Sequence, residues 1–407
     1  MEKVQVRKKS WLRFRHRVVR NLAAVVMRPY CRLVYGIRIQ PFREQGDRQY
    51  LVIMNHQTAF DQFFVGLAFR GPIYYVASED LFSNGWVSSL IRYLVAPIPI
   101  KKQKTDPVAV KNCIRVVREG GTIALAPEGN RTFDGKSVYI KPSLIKLMRH
   151  LKLPIAVYRL EGGYGVHPRW SDVIRKGQMR GYVRQVIEPE EYQNLTDEEL
   201  YARIKEELYV DEGAVTGEFR HKRLAEYLER VMYVCPHCGL TTYETHRDII
   251  TCKTCGQQIR YLPTKELQPL TGEFPFRFTT HWYDYQCDFV RKLDLQPYME
   301  QPLAEDWADL YEVVPYQRKR LLEKKVTLQL YGDRITATDG GGVVLSLDFD
   351  RISVITVLGR NKLNIYYGDK IYQIKSHERF NAVKYMNMVY HAKAIKEGVE
   401  HGEFLGL

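Results

Sequence analysis

The N-terminal region has no long hydrophobic run. Its longest apolar stretch, from Leu22 to Met27, is far short of the ~20 residues that a transmembrane helix needs. The basic start is never followed by a clean apolar segment and a small-residue cleavage site, so it does not fit a secretory signal. Both absences predict a cytoplasmic chain without a membrane span. Acids are almost missing from the first 38 residues. There Lys3, Arg7, Lys8, Lys9, Arg13, Arg15, Arg17, Arg20, Arg28, Arg32 and Arg38 face only Glu2, so ten of the fourteen net positive charges sit in that segment. Such a basic tip on a near-neutral body calls for a local anionic partner, a membrane or a nucleic acid. Isolated cysteines are also scarce. Only Cys31, Cys113 and Cys287 stand outside two CxxC pairs, which excludes a disulfide framework and points to metal binding in a reducing compartment. No internal repeat or low-complexity tract is visible, and a 45% hydrophobic share with 28 Tyr excludes a disordered chain.

Within the basic segment, Trp11, Phe14, Val18, Leu22 and Val25 recur at intervals of three and four, the spacing of one helical face. Arg13, Arg15, Arg17 and Arg20 flank it. The pattern predicts an amphipathic helix over 10–28, lying in a membrane interface; a core-packed helix with a solvated charged face is the alternative. From residue 50 to about 190 short apolar runs (51–54, 73–76, 97–100, 122–126, 154–158) alternate with candidate helices at 61–69, 106–119 and 142–150. This alternation predicts an α/β domain with a parallel or mixed sheet. Thr196-Asp197-Glu198-Glu199 is a capping box and predicts a helix to about Tyr209; a further helix is expected over 217–231.

Two clusters carry the chemistry. Asn55-His56-Gln57-Thr58-Ala59-Phe60-Asp61 follows the first apolar strand and precedes a helical run. The loop can fold back so that the Asp61 carboxylate reaches the His56 imidazole, giving a general base held by an acid. Pro127-Glu128-Gly129-Asn130-Arg131-Thr132 also follows an apolar strand, at the end where open α/β sheets bind ligands. Arg131 offers the planar fork that phosphate oxygens need. Each cluster alone also fits an ordinary polar turn.

Together they resemble the glycerolipid acyltransferase family that makes phosphatidic acid from lysophosphatidic acid. That family carries an NHxxxxD block, a basic stretch after a short strand (here Pro97-Ile98-Pro99-Ile100-Lys101-Lys102), a PEGxRS/T block, and an apolar block, here Leu153-Pro154-Ile155-Ala156-Val157. The resemblance spans residues 48–210. It implies that His56 takes the proton of the acceptor hydroxyl, that Asp61 orients His56, and that Arg131 with Lys101 or Lys102 holds the acceptor phosphate. Glu128 and Gly129 would shape that pocket. The expected donor is acyl-CoA or acyl-ACP, with acyl phosphate also open. Lys101 and Lys102 stand where Arg is usual, Asn130 where Thr is usual, and Ser78-Glu79-Asp80-Leu81-Phe82 matches its block loosely; these departures bear on the acceptor more than on the reaction. The alternatives are the same chemistry on glycerol 3-phosphate or another lipid, or an inactive adaptor for membrane or nucleic acid.

Cys235-Pro236-His237-Cys238-Gly239 and Cys252-Lys253-Thr254-Cys255-Gly256 form two knuckles suited to one structural Zn²⁺ in a zinc ribbon. His237 and His246 are not needed as ligands. The ribbon holds three cations and two acids between 235 and 261, too weak a basic stripe to favour nucleic acid, so a clip or protein-interaction role is expected. From Lys325 to Ile374 alternating strands separated by turns, then a helix at about 377–396, predict a small β-barrel or sandwich. In pattern it resembles pleckstrin-homology-like domains. The expected organisation is basic membrane-associating helices over 1–48, the acyltransferase domain over 49–232, the ribbon over 233–263, a connector over 264–319 and the β-rich unit over 320–407. The expected place is the cytoplasmic face of the membrane, held peripherally.

Overall fold

The computed structural model describes residues 10–101, 106–137, 139–314 and 317–398. Lys3, Arg7, Lys8, Lys9 and Lys102 lie outside them. Strands β1 (Ile37–Ile39), β2 (Leu51–Met54), β3 (Ile73–Ser78), β4 (Ile98–Ile100), β5 (Thr122–Leu125), β6 (Ile155–Glu161) and β7 (Met179–Ile187) form one mixed sheet in the order β1-β7-β6-β2-β5-β3-β4. All neighbours are parallel except β6 and β7. Every residue of β2 and β5 is buried, as expected where helices cover both faces of a parallel sheet. Helices α1 (Phe14–Val34), α2 (Asp61–Ala68), α3 (Trp86–Val95), α4 (Pro107–Arg118), α5 (Ser143–Leu151) and α6 (Asp197–Leu208) surround it.

Local signals place several of these helices. Asp106 accepts from the Val108 and Ala109 N–H groups at 2.9 and 3.1 Å and Pro107 opens α4, which satisfies two orphan donors. Thr196 and Glu199 close the predicted capping box on α6. The basic N-terminal helix begins at Phe14 and runs to Val34, later and longer than the expected 10–28. It rests on the domain through His16, Ala24 and Cys31, while Phe14, Leu22, Val25 and Leu33 face outward.

The helix expected over 217–231 does not form. That segment is irregular up to a short 3-10 turn, Leu228–Arg230. Its backbone groups bond to distant chain instead: Phe219 N–H to Pro263 O, Arg220 N–H to Lys176 O and Ala225 N–H to Arg247 O, all within 2.8 Å. Tyr227 also takes φ +77°, which no helix allows.

The ribbon pairs Val234–Cys235 with Gly239–Leu240 and adds a four-stranded antiparallel sheet from Tyr243–His246 to Leu267–Pro269. The segment expected as a connector supplies α7 (Thr279–Arg291) and strand β8 (Ala304–Glu312). Strands β9 (Arg320–Leu330), β10 (Arg334–Asp339), β11 (Gly342–Asp348), β12 (Ile352–Leu358), β13 (Lys362–Tyr367) and β14 (Lys370–Ser376) complete an antiparallel sheet in the order β11-β10-β9-β8-β14-β13-β12. A register shift between Ala308 and Leu310, opposite Lys325 at φ +50°, bends β9, as bulges do. Helix α8 (Ala382–Glu397) is buried on all sides from Ala382 to His391, because the sheet lies on one flank and the ribbon with α7 on the other. One hydrophobic core runs from Phe133, Tyr164 and Trp170 through the ribbon and α7 into the C-terminal sheet and α8.

Candidate active site

The loop after β2 is fastened before it presents any chemistry. Asn55 Nδ2 donates to Leu160 O at 2.8 Å and Asn55 Oδ1 accepts from Leu160 N–H at 2.7 Å, so the side chain substitutes for a ladder pair with β6. Gln57 Oε1 accepts from Gly163 N–H at 2.8 Å. The chain then turns into α2, whose first residue is Asp61. That carboxylate is fully buried and accepts from His56 Nδ1 at 2.8 Å, Gln57 N–H at 2.7 Å, Thr58 N–H at 3.0 Å and Thr58 Oγ1 at 2.6 Å. Four donors on two oxygens fix its position. The sequence-predicted pair is therefore assembled, with His56 Nδ1 on the acid and Nε2 on the other side of the ring.

The second cluster closes on the first. Thr132 N–H donates to His56 O at 3.1 Å, tying the two loops together. Gly129 turns the chain at φ +69°, a conformation that favours glycine, and Glu128 and Asn130 are buried beside it. A cavity of about 910 Å³ opens here, and His56, Lys101, Asp106, Glu128, Gly129 and Asn130 are among its polar lining. Val19, Ala23 and Met27 of α1, Phe63 of α2 and Ile91 and Leu94 of α3 line the apolar remainder. Lys101 is exposed at the end of β4, while Lys102 lies outside the described residues. Arg131 is not part of this lining. Burial lowers its pKa, Asp61 raises it, and Arg360 lowers it further, so its guanidinium stands among those charges. Among the described residues no acceptor is hydrogen-bonded to it.

Sequence reasoning missed the surrounding shell. Tyr35 OH contacts His167 Nδ1 at 3.2 Å. Burial, then Arg131, Arg360 and Arg175, push the His167 imidazole down to about 4, which keeps it neutral at pH 7. Arg169 donates to Arg131 O at 2.9 Å and to Val357 O at 2.6 Å. These residues carry no local motif; their partners lie far along the chain.

The four cysteines meet as expected. Their Sγ atoms all lie within 4.8 Å of one another, with Cys235 to Cys255 at 3.9 Å and Cys238 to Cys252 at 3.7 Å. A tetrahedral Zn²⁺ with bonds of about 2.3 Å requires S···S edges of about 3.8 Å, so the donor set fits. His237 Nε2 instead faces Glu273 O at 2.9 Å, outside the cluster.

A histidine held by a buried aspartate stands on the loop after a parallel strand and above a mostly apolar cavity, and the family model described as "Acyltransferase" matches residues 34–159, which include this pair. Among particular proteins, the chain is 22% identical over 164 residues to a 1-acyl-sn-glycerol-3-phosphate acyltransferase of Bacillus subtilis, covering 40% of this chain and 79% of that one. It is 21% identical over 191 residues to a chloroplastic 1-acyl-sn-glycerol-3-phosphate acyltransferase of Brassica napus, spanning 46% of this chain and about half (54%) of that protein. It is similar to the solved 1-acyl-sn-glycerophosphate acyltransferase PlsC of Thermotoga maritima, with a TM-score of 0.39 and 22% identity over 47% of this chain and 77% of that chain. The family match stops before the ribbon and the C-terminal sheet. No helix among the described residues is long and apolar enough to cross a membrane.

Proposed function

We propose that this protein transfers a fatty acyl group from a thioester donor, acyl-CoA or acyl-ACP, to the free hydroxyl of a lysophospholipid at a membrane surface, with 1-acylglycerol 3-phosphate as the leading acceptor. The observation that carries this reading is the His56–Asp61 pair, four-fold bonded at its carboxylate, with His56 lining a mostly apolar cavity. His56 Nε2 takes the hydroxyl proton as the hydroxyl oxygen attacks the thioester carbonyl carbon. Asp61 stabilises the imidazolium that forms. Collapse of the tetrahedral intermediate expels the thiolate, which recovers the proton from His56 Nε2. The apolar part of the cavity holds the acyl chain, and Arg131 with Lys101 binds the acceptor phosphate.

Membrane contact is supported by two exposed faces. On α1, Phe14 and Leu33 are 80% and 83% exposed; on α3, Trp86 is 76% exposed. Arg13, Arg17, Arg28 and Arg32 are exposed along α1 and suit an anionic surface, where each adds about 1 kcal/mol. Both helices line the cavity, so a lipid leaving the bilayer between them would enter directly. Cys235, Cys238, Cys252 and Cys255 would hold a structural Zn²⁺ that clips the ribbon. The strand order of the C-terminal unit and its closing helix support a pleckstrin-homology-like fold.

The test is acyl transfer from labelled acyl-CoA or acyl-ACP to 1-acylglycerol 3-phosphate on anionic vesicles, with His56→Ala beside the wild type. Turnover by the wild type and a loss of about 10²–10⁴-fold in the variant are expected. Silence of the folded wild type towards lysolipids and glycerol 3-phosphate alike would transfer the case to an inactive adaptor.

A further inference from the structure

We propose that the C-terminal β unit builds half of the acceptor headgroup site: Arg360 joins Arg131 as a second guanidinium on the phosphomonoester, and β12 walls the cavity beside His56. This rests on the reading that the acceptor carries a phosphate.

The two parts of the chain meet at the site. Val354, Ile355 and Thr356 of β12 line the same cavity as His56, Glu128 and Gly129. Thr356 Oγ1 donates to Asn130 Oδ1 at 3.3 Å, next to Arg131. The buried Arg169 spans the joint, with one nitrogen on Arg131 O and another on Val357 O. A second joint lies next to the cavity residue Leu81, where Asn364 Nδ2 on β13 donates to Asp80 Oδ1 and Asn364 Oδ1 accepts from Gln373 Nε2 at 2.7 Å. Three residues beyond Val357, in the turn that Gly359 opens at φ +63°, stands Arg360.

The charge balance there is uneven. Arg360 Nη1 reaches Asp172 Oδ1 at 3.0 Å, but that oxygen already takes Arg230 Nη1 at 2.5 Å. The Arg230 side chain is 3% exposed and the Arg360 side chain 40%, so the buried cation needs the carboxylate and the accessible one is in excess. Asp61 is committed to His56 and its own loop. Arg131 and Arg360 are near enough for the second to oppose the charge of the first, and both depress His167, which supplies no compensating charge. Two guanidiniums brought together from the two parts of the chain, one without a hydrogen-bonded acceptor among the described residues and one sharing an acceptor, suit a dianion with three free oxygens. A phosphomonoester, carrying close to two negative charges at pH 7, has that form; a phosphodiester or an uncharged headgroup does not. The Lys101 and Lys102 departures from the family pattern then matter less, since the second fork comes from outside the family match.

The experiment titrates the full chain calorimetrically with a short-chain 1-acylglycerol 3-phosphate, the matching monoacylglycerol and inorganic phosphate. Wild type, Arg360→Ala and Arg360→Lys are compared. The wild type should bind the phosphorylated lipid more tightly than the monoacylglycerol. Arg360→Ala should weaken the phosphorylated lipid alone by about 10–100-fold, the loss of one charge-assisted contact. Arg360→Lys should recover part of this, since it keeps the charge without the fork. In turnover, KM for the acceptor should rise while kcat holds. A folding defect would instead weaken both lipids alike. Equal affinity of wild type and Arg360→Ala for the phosphorylated lipid overturns the proposal, as does an effect confined to inorganic phosphate, which would make this a free-anion site. Turnover of 1-acylglycerol 3-phosphate with KM unchanged in Arg360→Ala removes Arg360 and leaves the enzyme reading intact. Turnover of only the phosphate-free lipid removes the acceptor reading, and Arg360 with it.

Discussion

Replacing Asp61 by asparagine removes one charge and almost no volume, and the structure sets what this should cost. The carboxylate oxygen nearest His56 lies 2.8 Å from Nδ1 and 2.7 Å from the Gln57 amide. The other accepts from the Thr58 hydroxyl at 2.6 Å, a group that can rotate and accept from an amide NH₂ instead. Asparagine can therefore keep its oxygen towards His56, so the tautomer survives and only the charge is lost. A full charge pair at that distance is worth about 6 kcal/mol at an effective dielectric of 20. With the imidazolium half formed in the transition state, about 3 kcal/mol should be lost, or roughly a hundredfold in kcat. Stability should fall by only about 1–3 kcal/mol, since the buried side chain loses charge-assisted bonds but keeps the His56 and Gln57 donors on its oxygen. The assay is steady-state acyl transfer on vesicles alongside thermal unfolding. The double variant with His56→Ala should lose no more than His56→Ala alone, because the two residues act as one unit. A folded Asp61→Asn enzyme with wild-type kcat, or fully additive losses in the double variant, would refute the pairing.

Further outcomes follow from other parts of the fold. Elemental analysis should find one zinc per chain; Cys235→Ser should abolish it and lower the melting temperature of the C-terminal sheet as well, because one core joins them, and an unaltered melt would contradict this. Leu22→Glu with Val25→Glu on α1, or Trp86→Glu on α3, should weaken co-sedimentation with anionic vesicles by tenfold or more, given about 1.5–3 kcal/mol for each large apolar side chain withdrawn from water; unchanged binding would exclude these faces. His167, held near 4 against about 6.5 unfolded, binds its proton in the unfolded state first, so its contribution to stability is lost as pH falls from about 6.5 to 4. Asp134, which burial raises to about 6, binds its proton in the folded state first and contributes the opposite slope between about 6 and 3.8. Urea titrations across this window should therefore show the deficit of His167→Asn shrinking on acidification and that of Asp134→Asn growing; parallel pH profiles would show that neither group is shifted.

Those elements were legible in the sequence wherever a signal is local. The apolar runs at Leu51–Met54 and Thr122–Leu125, the capping box at Thr196, the CxxC knuckles and the two motif loops each announce themselves within a few residues, and each is where its pattern placed it. The helix expected over 217–231 failed because its backbone donors find partners on three remote segments, which no propensity over that window records. The strand Ala304–Glu312 was hidden for a related reason: its pattern, with Trp307 exposed and Ala308 and Leu310 inward, makes sense only between β9 and β14. Arg169, His167 and Arg360 carry no signature at all. His167 is placed by Tyr35 on α1, and Arg169 and Arg360 meet the Arg131 loop through the docked C-terminal sheet, not through any spacing along the chain.

The shared core from Trp170 to α8 has a consequence for how the molecule is made. The loop bearing Arg131 is held by Arg169, which Val357 fixes from 188 residues downstream of Arg169, and the turn at Asp80 by Asn364, 284 residues downstream. As the chain leaves the ribosome, the sheet carrying His56 and Asp61 can assemble early, while the wall of its cavity is still unmade. Trp170, Tyr164 and Phe133 must meanwhile wait for a cover that comes from the ribbon, α7 and α8. A half-made chain would thus be a sticky one with an open site, and catalytic competence would be a late event in its synthesis.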